Sequence, residues 1–243
     1  MKKLLNVVRG LMLAITHIKV FPQDRFRGKR IAIVGPASSA FKTGNGAYID
    51  GFDIVVRVNK SALTVDAGKH AADIGERTDV LFHCFLENMH SGGGKLDFDM
   101  YSRQGIQAVI NPRYEWTGLR NSFNFYKKYL MPQRTYVLSR KLYKDIGRSL
   151  GQYRPTTGYS ALCALLESDF SELYITGFTF FKTAYGDGYR DDMQQAQQAR
   201  DFMISVGLHN PDKEYEEFKK RLARHAGKDV RMDAELRAIM STQ

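Results

Sequence analysis

The chain has 243 residues, 43 % of them apolar and 26 % charged, the balance of an ordinary globular domain and enough for one sizeable α/β core but not two. Its formal charge of +10 is unevenly placed: residues 1–30 carry eight Lys or Arg against one Asp, which points to an anionic surface, membrane lipid or nucleic acid. The two cysteines, Cys84 and Cys163, stand at no metal-ligand spacing and read as buried reduced thiols of a cytosolic chain.

In chain order the first element is MKKLLNVVRGLMLAITHIKVF. Lys2 and Lys3 ahead of apolar residues resemble the start of a secretory signal, but Arg9 interrupts the run and no small-residue cleavage site follows. The stretch is too short and too charged to span a bilayer. Leu4, Val8, Leu11, Ile15 and Ile18 recur at helical spacing and form one apolar face. Two readings stay open: a helix in the membrane interface with its bases toward anionic headgroups, or a helix packed on the domain core. The expected division is a basic amphipathic segment over residues 1–23 and one domain over 24–243, cytoplasmic and, on the first reading, peripheral at the inner face of the membrane.

Strands are expected at Ile31–Gly35, Asp53–Val58, Asp79–Phe85, Gln107–Asn111, Thr135–Leu138 and Leu173–Thr176, several of them nearly all apolar, as in a parallel sheet covered on both faces. Helices are expected at Asn121–Leu130, Ser139–Leu150, Gly158–Glu167, Asp191–Val206 and Pro211–Arg224. The alternation predicts a single-domain α/β fold with a Rossmann-like, doubly wound, mostly parallel sheet.

After the strand ending at Gly35 comes PASSAFKTGNG. Its glycines at 35, 44 and 46 do not make G-x-G-x-x-G, and the next strand ends in Arg57 and Asn59 with no ribose-binding acid, so NAD and FAD are disfavoured. Lys42 is not placed for a Walker A loop. What remains is a loop able to offer backbone N–H groups and the Ser38 and Ser39 hydroxyls to one phosphate, with Asn59 pointing into the crevice; an ordinary strand–helix turn is the plainer alternative. Further on, Pro155-Thr156-Thr157-Gly158 reads as a helix start with Thr156 or Thr157 as N-cap, and Gly158 lets an anion approach the first unsatisfied N–H groups. Two anion sites in one crevice suit a donor with one phosphate and one carboxylate.

These segments together resemble family 29 glycosyltransferases, the sialyltransferase family. IAIVGPASSA continuing to DIVVRVNK is similar to the family's long motif, PTTGYSALCALL with LYITGF to its short motif, and His209-Asn210-Pro211-Asp212-Lys213-Glu214 to its H-x-x-x-x-E motif. The resemblance covers Arg30 to Arg224. It implies a GT-A-like variant of the Rossmann-like fold, a cytidine monophosphate (CMP) sugar donor, and inversion at the anomeric carbon. It places Gly35, Ser38 and Ser39 in the phosphate loop, Asn59 at the cytidylate, Thr156, Thr157 and Gly158 against the sugar carboxylate and nucleotide, Glu214 in the substrate site, and His209 as general base. The chain departs from the pattern at Pro36, where the family has Asn, and lacks the cysteine that opens the long motif in Golgi enzymes, which favours a bacterial-type cytoplasmic enzyme. The family's H-Y-x-E motif has no clear counterpart; AYGDGYRDD offers Tyr185 or Tyr189, and Tyr189 is assigned to the departing phosphate.

The residues agree from below. An acceptor hydroxyl needs a base, and an imidazole of ordinary pKa about 6.5 suits that task. The helix N-terminus at Asn210-Pro211 disfavours imidazolium while Asp212 and Glu214 favour it, so no net shift of His209 is expected. A CMP leaving group can be stabilised by N–H groups and hydroxyls, so neither cofactor nor metal is expected. The sugar is read as sialic acid first and 3-deoxy-manno-octulosonic acid (Kdo) second, the acceptor as a glycan or glycolipid shaped by loops 87–94 and 113–121. One rival is a metal-dependent nucleotide-diphosphate sugar transferase using Asp97 and Asp99, although capping of a helix explains that pair as well. The other is a nucleic-acid binder using the basic–aromatic stretch RNSFNFYKKYLMPQRTYVLSRKLYK, for which a solvated basic face is the commoner outcome.

Overall fold

The computed structural model describes residues 2–241 apart from 67, 69, 89, 90, 187, 188 and 190–194. Short apolar runs form eight strands among these residues: β1 (Ile18–Val20), β2 (Arg30–Val34), β3 (Ile54–Val58), β4 (Val80–Phe82), β5 (Ala108–Asn111), β6 (Thr135–Val137), β7 (Glu172–Thr176) and β8 (Val230–Met232). They make one sheet in the order β1-β6-β5-β4-β3-β2-β7-β8, with every pairing parallel. The helices are α1 (Lys2–His17), α2 (Gly46–Asp50), α3 (Ser61–Asp66), α4 (Ala71–Ile74), α5 (Phe98–Arg103), α6 (Trp116–Tyr129), α7 (Arg140–Arg148), α8 (Thr157–Leu166), α9 (Ala196–Val206), α10 (Pro211–Arg224) and α11 (Ala234–Ser241).

Side chains alternate across the strands, so each strand feeds two layers. Ile31, Ile33, Val56, Val58, Val80 and Phe82 pack with α8, which is buried from Tyr159 to Leu166. Ala32, Val34 and Val55 meet a second cluster around Phe52 and Ile74, and Leu81 and Val109 meet a third with α5 and α6. Burial on both sides explains why the strands read as continuous apolar runs rather than alternating ones.

The six expected strands are present, most with trimmed ends. Two short ones escaped pattern reading: β8, and β1, where the amphipathic run stops at His17 and Ile18 turns into the sheet to pair with Thr135. At three residues each, neither carries enough period to be seen. The helix expected from Asn121 begins at Trp116, and the start of the one expected from Asp191 lies outside the described residues, with α9 beginning at Ala196.

The order fixes where a ligand can bind. The chain winds from β2 outward through β3, β4, β5 and β6, then returns to place β7 on the other side of β2. The loops after β2 and β7 therefore part at the carboxyl ends of their strands, the position where open α/β sheets take ligands.

Candidate active site

A cleft of about 420 Å³ opens at that switch point. Its walls come from the loops after β2, β3, β4 and β7, the start of α8, and the segment before α10. Its floor depends on a contact between glycines. A Cβ on Gly35 would lie 2.2 Å from the Gly177 carbonyl oxygen, and one on Gly177 (φ +72°) would lie 2.4 Å from that of Gly35. Side chains at either position would push the two strand ends apart.

Thr156 caps α8, its hydroxyl accepting from the Tyr159 N–H at 3.1 Å. That leaves the Thr157 and Gly158 N–H groups, which a helix cannot satisfy internally, at the positive end of its dipole and on the cleft wall. Thr156 is itself held by Glu214 from α10: the Thr156 N–H donates to Oε1 at 2.6 Å and its hydroxyl pairs with Oε2 at 2.9 Å. Glu214 is 2 % exposed, and burial pushes its carboxyl up to about 8 against the two bonds from Thr156. Glu214, expected among the substrate contacts, lines the cleft and has both carboxyl oxygens engaged by Thr156.

His209 lines the same cleft. Pro155 keeps Arg154 out of helical conformation, so its backbone is free to pair across the fold. The Arg154 N–H donates to the Leu208 carbonyl at 2.8 Å, and the Arg154 carbonyl accepts from His209 Nδ1 at 2.6 Å. A carbonyl only accepts, so Nδ1 carries the proton and the neutral ring keeps its lone pair on Nε2. Asn210 then caps α10, accepting from the Lys213 N–H at 3.0 Å, with Pro211 in the first turn. The expectation of an unshifted His209 is corrected: its pKa is lowered, by burial first and then by the Arg113 and Arg154 charges, against the pull of the Arg154 carbonyl. The two carboxylates invoked to offset this are engaged elsewhere, Glu214 with Thr156 and Asp212 with Arg200.

Asn59 sits at the end of β3 with φ +51°, a left-handed conformation that Asn tolerates. Its side-chain oxygen accepts from the Cys84 N–H at 3.1 Å, and its amide nitrogen faces Gly92 in the cleft. Tyr189 also lines the cleft, its hydroxyl 3.5 Å from the Gly92 carbonyl and its ring centroid 5.1 Å from that of Tyr185. Gly158 meets Phe178, whose ring a Cβ there would approach to 3.1 Å. The phosphate loop differs from expectation. The Gly35, Ala37 and Ser38 N–H groups donate to the carbonyls of Thr176, Gly177 and Ala184, and the Ser39 hydroxyl faces Asp233 at 3.5 Å. Gly35, Ser38 and Ser39 are absent from the cleft wall, which the β2 loop enters through Pro36 and Ala37. The loop after β7 consumes the N–H groups that the sequence left unassigned. Asp97 caps α5, accepting from the Met100 N–H at 3.0 Å, and pairs with Lys95 at 3.6 Å.

Arg113, from the loop expected to shape the acceptor site, lines the cleft, and Phe180, Phe181 and the supporting His83 were not expected there. Arg113 reaches it from the loop after β5, held by Glu115 and Thr117. Phe180 and Phe181 line it at φ +51° and +61°, a conformation costly for bulky side chains and typical of sites that over-determine their backbone. His83, fully buried at the end of β4, spans the base of the next loop: Nδ1 accepts from the Phe85 N–H at 2.9 Å, and Nε2 donates to the Gly93 carbonyl at 2.7 Å. Burial lowers its pKa to about 4, so the ring is a neutral clamp. The only sequence signal was a polar residue inside an apolar run. His83→Ala orphans two buried backbone groups and opens a cavity, and should cost about 2–4 kcal/mol, read as a lower urea midpoint with unchanged slope.

An all-parallel doubly wound sheet with a cleft at its switch point is the architecture of α/β proteins that take ligands at the carboxyl ends of their strands. The family model of glycosyltransferase family 29 (sialyltransferase) matches residues 2–226, and the chain belongs to that family. It is a glycosyltransferase of the sialyltransferase type. Solved structures agree in fold. A mammalian sialyltransferase is 18 % identical over 93 % of this chain and 78 % of that one, with a TM-score of 0.57. A mammalian sialyltransferase in complex with Gal-beta-1-3GalNAc-ortho-nitrophenol gives 16 % identity over 93 % and 78 %, with a TM-score of 0.55. A variant of the sialyltransferase CST-II in complex with CMP gives 12 % identity over 84 % and 81 %, with a TM-score of 0.52. No curated protein sequence matches the chain.

Proposed function

We propose that the protein is an inverting, metal-independent transferase that moves a keto-sugar acid, sialic acid first and Kdo second, from its CMP-activated donor to a hydroxyl of a glycan or glycolipid. The observation that carries this reading is His209, with its Nδ1 proton held by Arg154 and its Nε2 lone pair available, in one cleft with the N-terminus of α8. The Thr157 and Gly158 N–H groups suit the anionic groups of the donor, and the Asn59 amide suits the cytidylate. The acceptor oxygen attacks the anomeric carbon and its proton passes to Nε2. The bond from that carbon to the phosphate oxygen breaks, and CMP leaves with the electron pair, with Tyr189 placed to assist it. The CMP-bound CST-II variant supports the donor class, and the mammalian complex supports a glycan acceptor. Trp116, 78 % exposed and anchored through Thr117 to the Arg113 network, is suited to receive the apolar face of an acceptor sugar. We place this acceptor at an anionic membrane surface, with the protein peripheral on the cytoplasmic side.

Incubation with CMP-sialic acid and with CMP-Kdo separately, with and without galactosides and glycolipids, checks the reading. CMP release from one donor, undiminished by a chelator, is the expected result. Consumption of neither donor together with no CMP binding by calorimetry would overturn it, and loss of activity in chelator alone would overturn metal independence.

A further inference from the structure

The apolar stripe read from the sequence at the start of the chain is not the surface by which α1 holds to the domain. α1 packs on α6 through its small residues: a Cβ on Gly10 would lie 2.7 Å from the Lys127 Cα, Ala14 is 7 % exposed, and the His17 ring lies 6.3 Å from that of Tyr126. The stripe faces away. Leu4 and Ile15 are each 70 % exposed, Leu11 51 % and Val8 48 %, with Leu5, Val7 and Met12 beside them. Seven of the thirteen large apolar side chains left exposed among the described residues stand on this one helix, a density that scattered surface residues do not reach.

At about 100° per residue, Leu4, Val8, Leu11 and Ile15 fall within an arc of roughly 60°, with Gly10, Leu13 and His17 directed the other way. Lys3 and Arg9 flank the arc on its two sides, both exposed. Lys2, Lys3 and Arg9 stand on α1 and no acid does, so the charge beside the apolar arc is positive. We propose that α1 seats the protein on an anionic bilayer, its Leu4–Val8–Leu11–Ile15 face entering the boundary between headgroups and acyl chains and its bases resting among the phosphates. The helix has 16 residues, roughly 24 Å of length against about 30 Å of hydrocarbon, and no helix among the described residues is long and apolar enough to cross a membrane. It lies on the surface.

A second copy of the chain is the competing occupant. One face of such a helix covers roughly 24 Å by 10 Å, well under the approximately 800 Å² per partner of a stable interface, and a two-fold contact would bring Lys3 and Arg9 against their own copies. The bilayer satisfies both the apolar arc and its charge. This inference deepens the membrane placement of the acceptor but is independent of the donor chemistry, so vesicle binding and CMP binding can fail separately.

The test is co-sedimentation of the full chain with vesicles of phosphatidylcholine alone and with about 30 % phosphatidylglycerol, at low and high salt. Binding is expected on the anionic vesicles, weakened by salt. Leu11→Glu with Ile15→Glu should reduce it about tenfold or more, because both side chains are exposed in the free protein and buried only in lipid. Lys3→Glu with Arg9→Glu should weaken it on anionic vesicles and leave the weak binding to neutral ones unchanged. Unaltered thermal melting and CMP binding would show that these variants are folded. Wild-type protein that stays in the supernatant, or an apolar-face variant that sediments like wild type, overturns the proposal. So does a wild-type dimer in sedimentation velocity that the Leu11/Ile15 variant abolishes, which would assign the face to a second copy.

Discussion

His209→Ala is expected to bind CMP within about twofold of wild type while its kcat falls by about 10²–10⁴, the range for removal of a general base. The contrast follows from geometry. His209 stands on the segment before α10, and its Nδ1 donates to the Arg154 carbonyl rather than to the Asn59 amide or the α8 N-terminus. Removing the ring deletes the Nε2 acceptor and leaves those other groups in place. The same geometry sets the pH response. The working ring is neutral, and burial with two nearby guanidinium groups holds its pKa below the ordinary 6.5. Log kcat/KM should therefore be flat near pH 7 and fall on the acid side, with a midpoint below 6.5. Arg113→Met removes one of the two charges and should move that midpoint upward. An acid limb unmoved by Arg113→Met would detach His209 from it, and near-wild-type turnover of His209→Ala at saturating substrate would remove His209 from the chemistry.

Glu214 supplies the second large effect, on stability rather than rate. Its carboxyl titrates at about 8 in the fold against 4.5 for the free group. Between those values the native state keeps a proton that the unfolded chain has lost, so stability falls as pH rises from about 4.5 to 8 and levels off above. Glutamine imitates the protonated acid: its carbonyl can accept the Thr156 N–H and its amide can donate to the Thr156 hydroxyl. Glu214→Gln should therefore melt close to wild type near pH 5 and on the order of 5–10 °C higher near pH 8.5. Glu214→Ala loses both bonds at every pH, orphans the Thr156 N–H, and should cost about 2–4 kcal/mol along with weaker CMP binding. Parallel melting curves for wild type and Glu214→Gln across this range would show that the carboxyl titrates normally and that burial does not govern it.

The candidate cleft is partly legible in the sequence. The cap at Thr156, the Asn210-Pro211 helix start and Asn59 at a strand end follow from residues within four positions of one another, and each stands in the cleft or on its frame. The partners of the N–H groups in the loop after β2 were not legible, for the opposite reason. Whether the Ser38 N–H is free depends on the Ala184 carbonyl, and no local pattern reports a partner so far along the chain. His83 was invisible because a buried histidine and a strand residue look alike until the loop it clamps is folded.

The sequence by itself determined the parallel α/β sheet, its six principal strands, the capped starts of α7, α8 and α10 and the three motifs that carry the family resemblance, because period, capping and apolar runs are properties of neighbours. Only the tertiary structure decided what those pieces do to one another. Glu214 meets Thr156 across 58 positions and His209 meets Arg154 across 55; the first meeting holds the cap of α8 and the second sets the tautomer of the imidazole. It also decided which side of α1 is held. Gly10 and Ala14 permit close approach to α6 where the larger Leu4, Val8, Leu11 and Ile15 do not, so the most apolar face of the helix is the one turned outward.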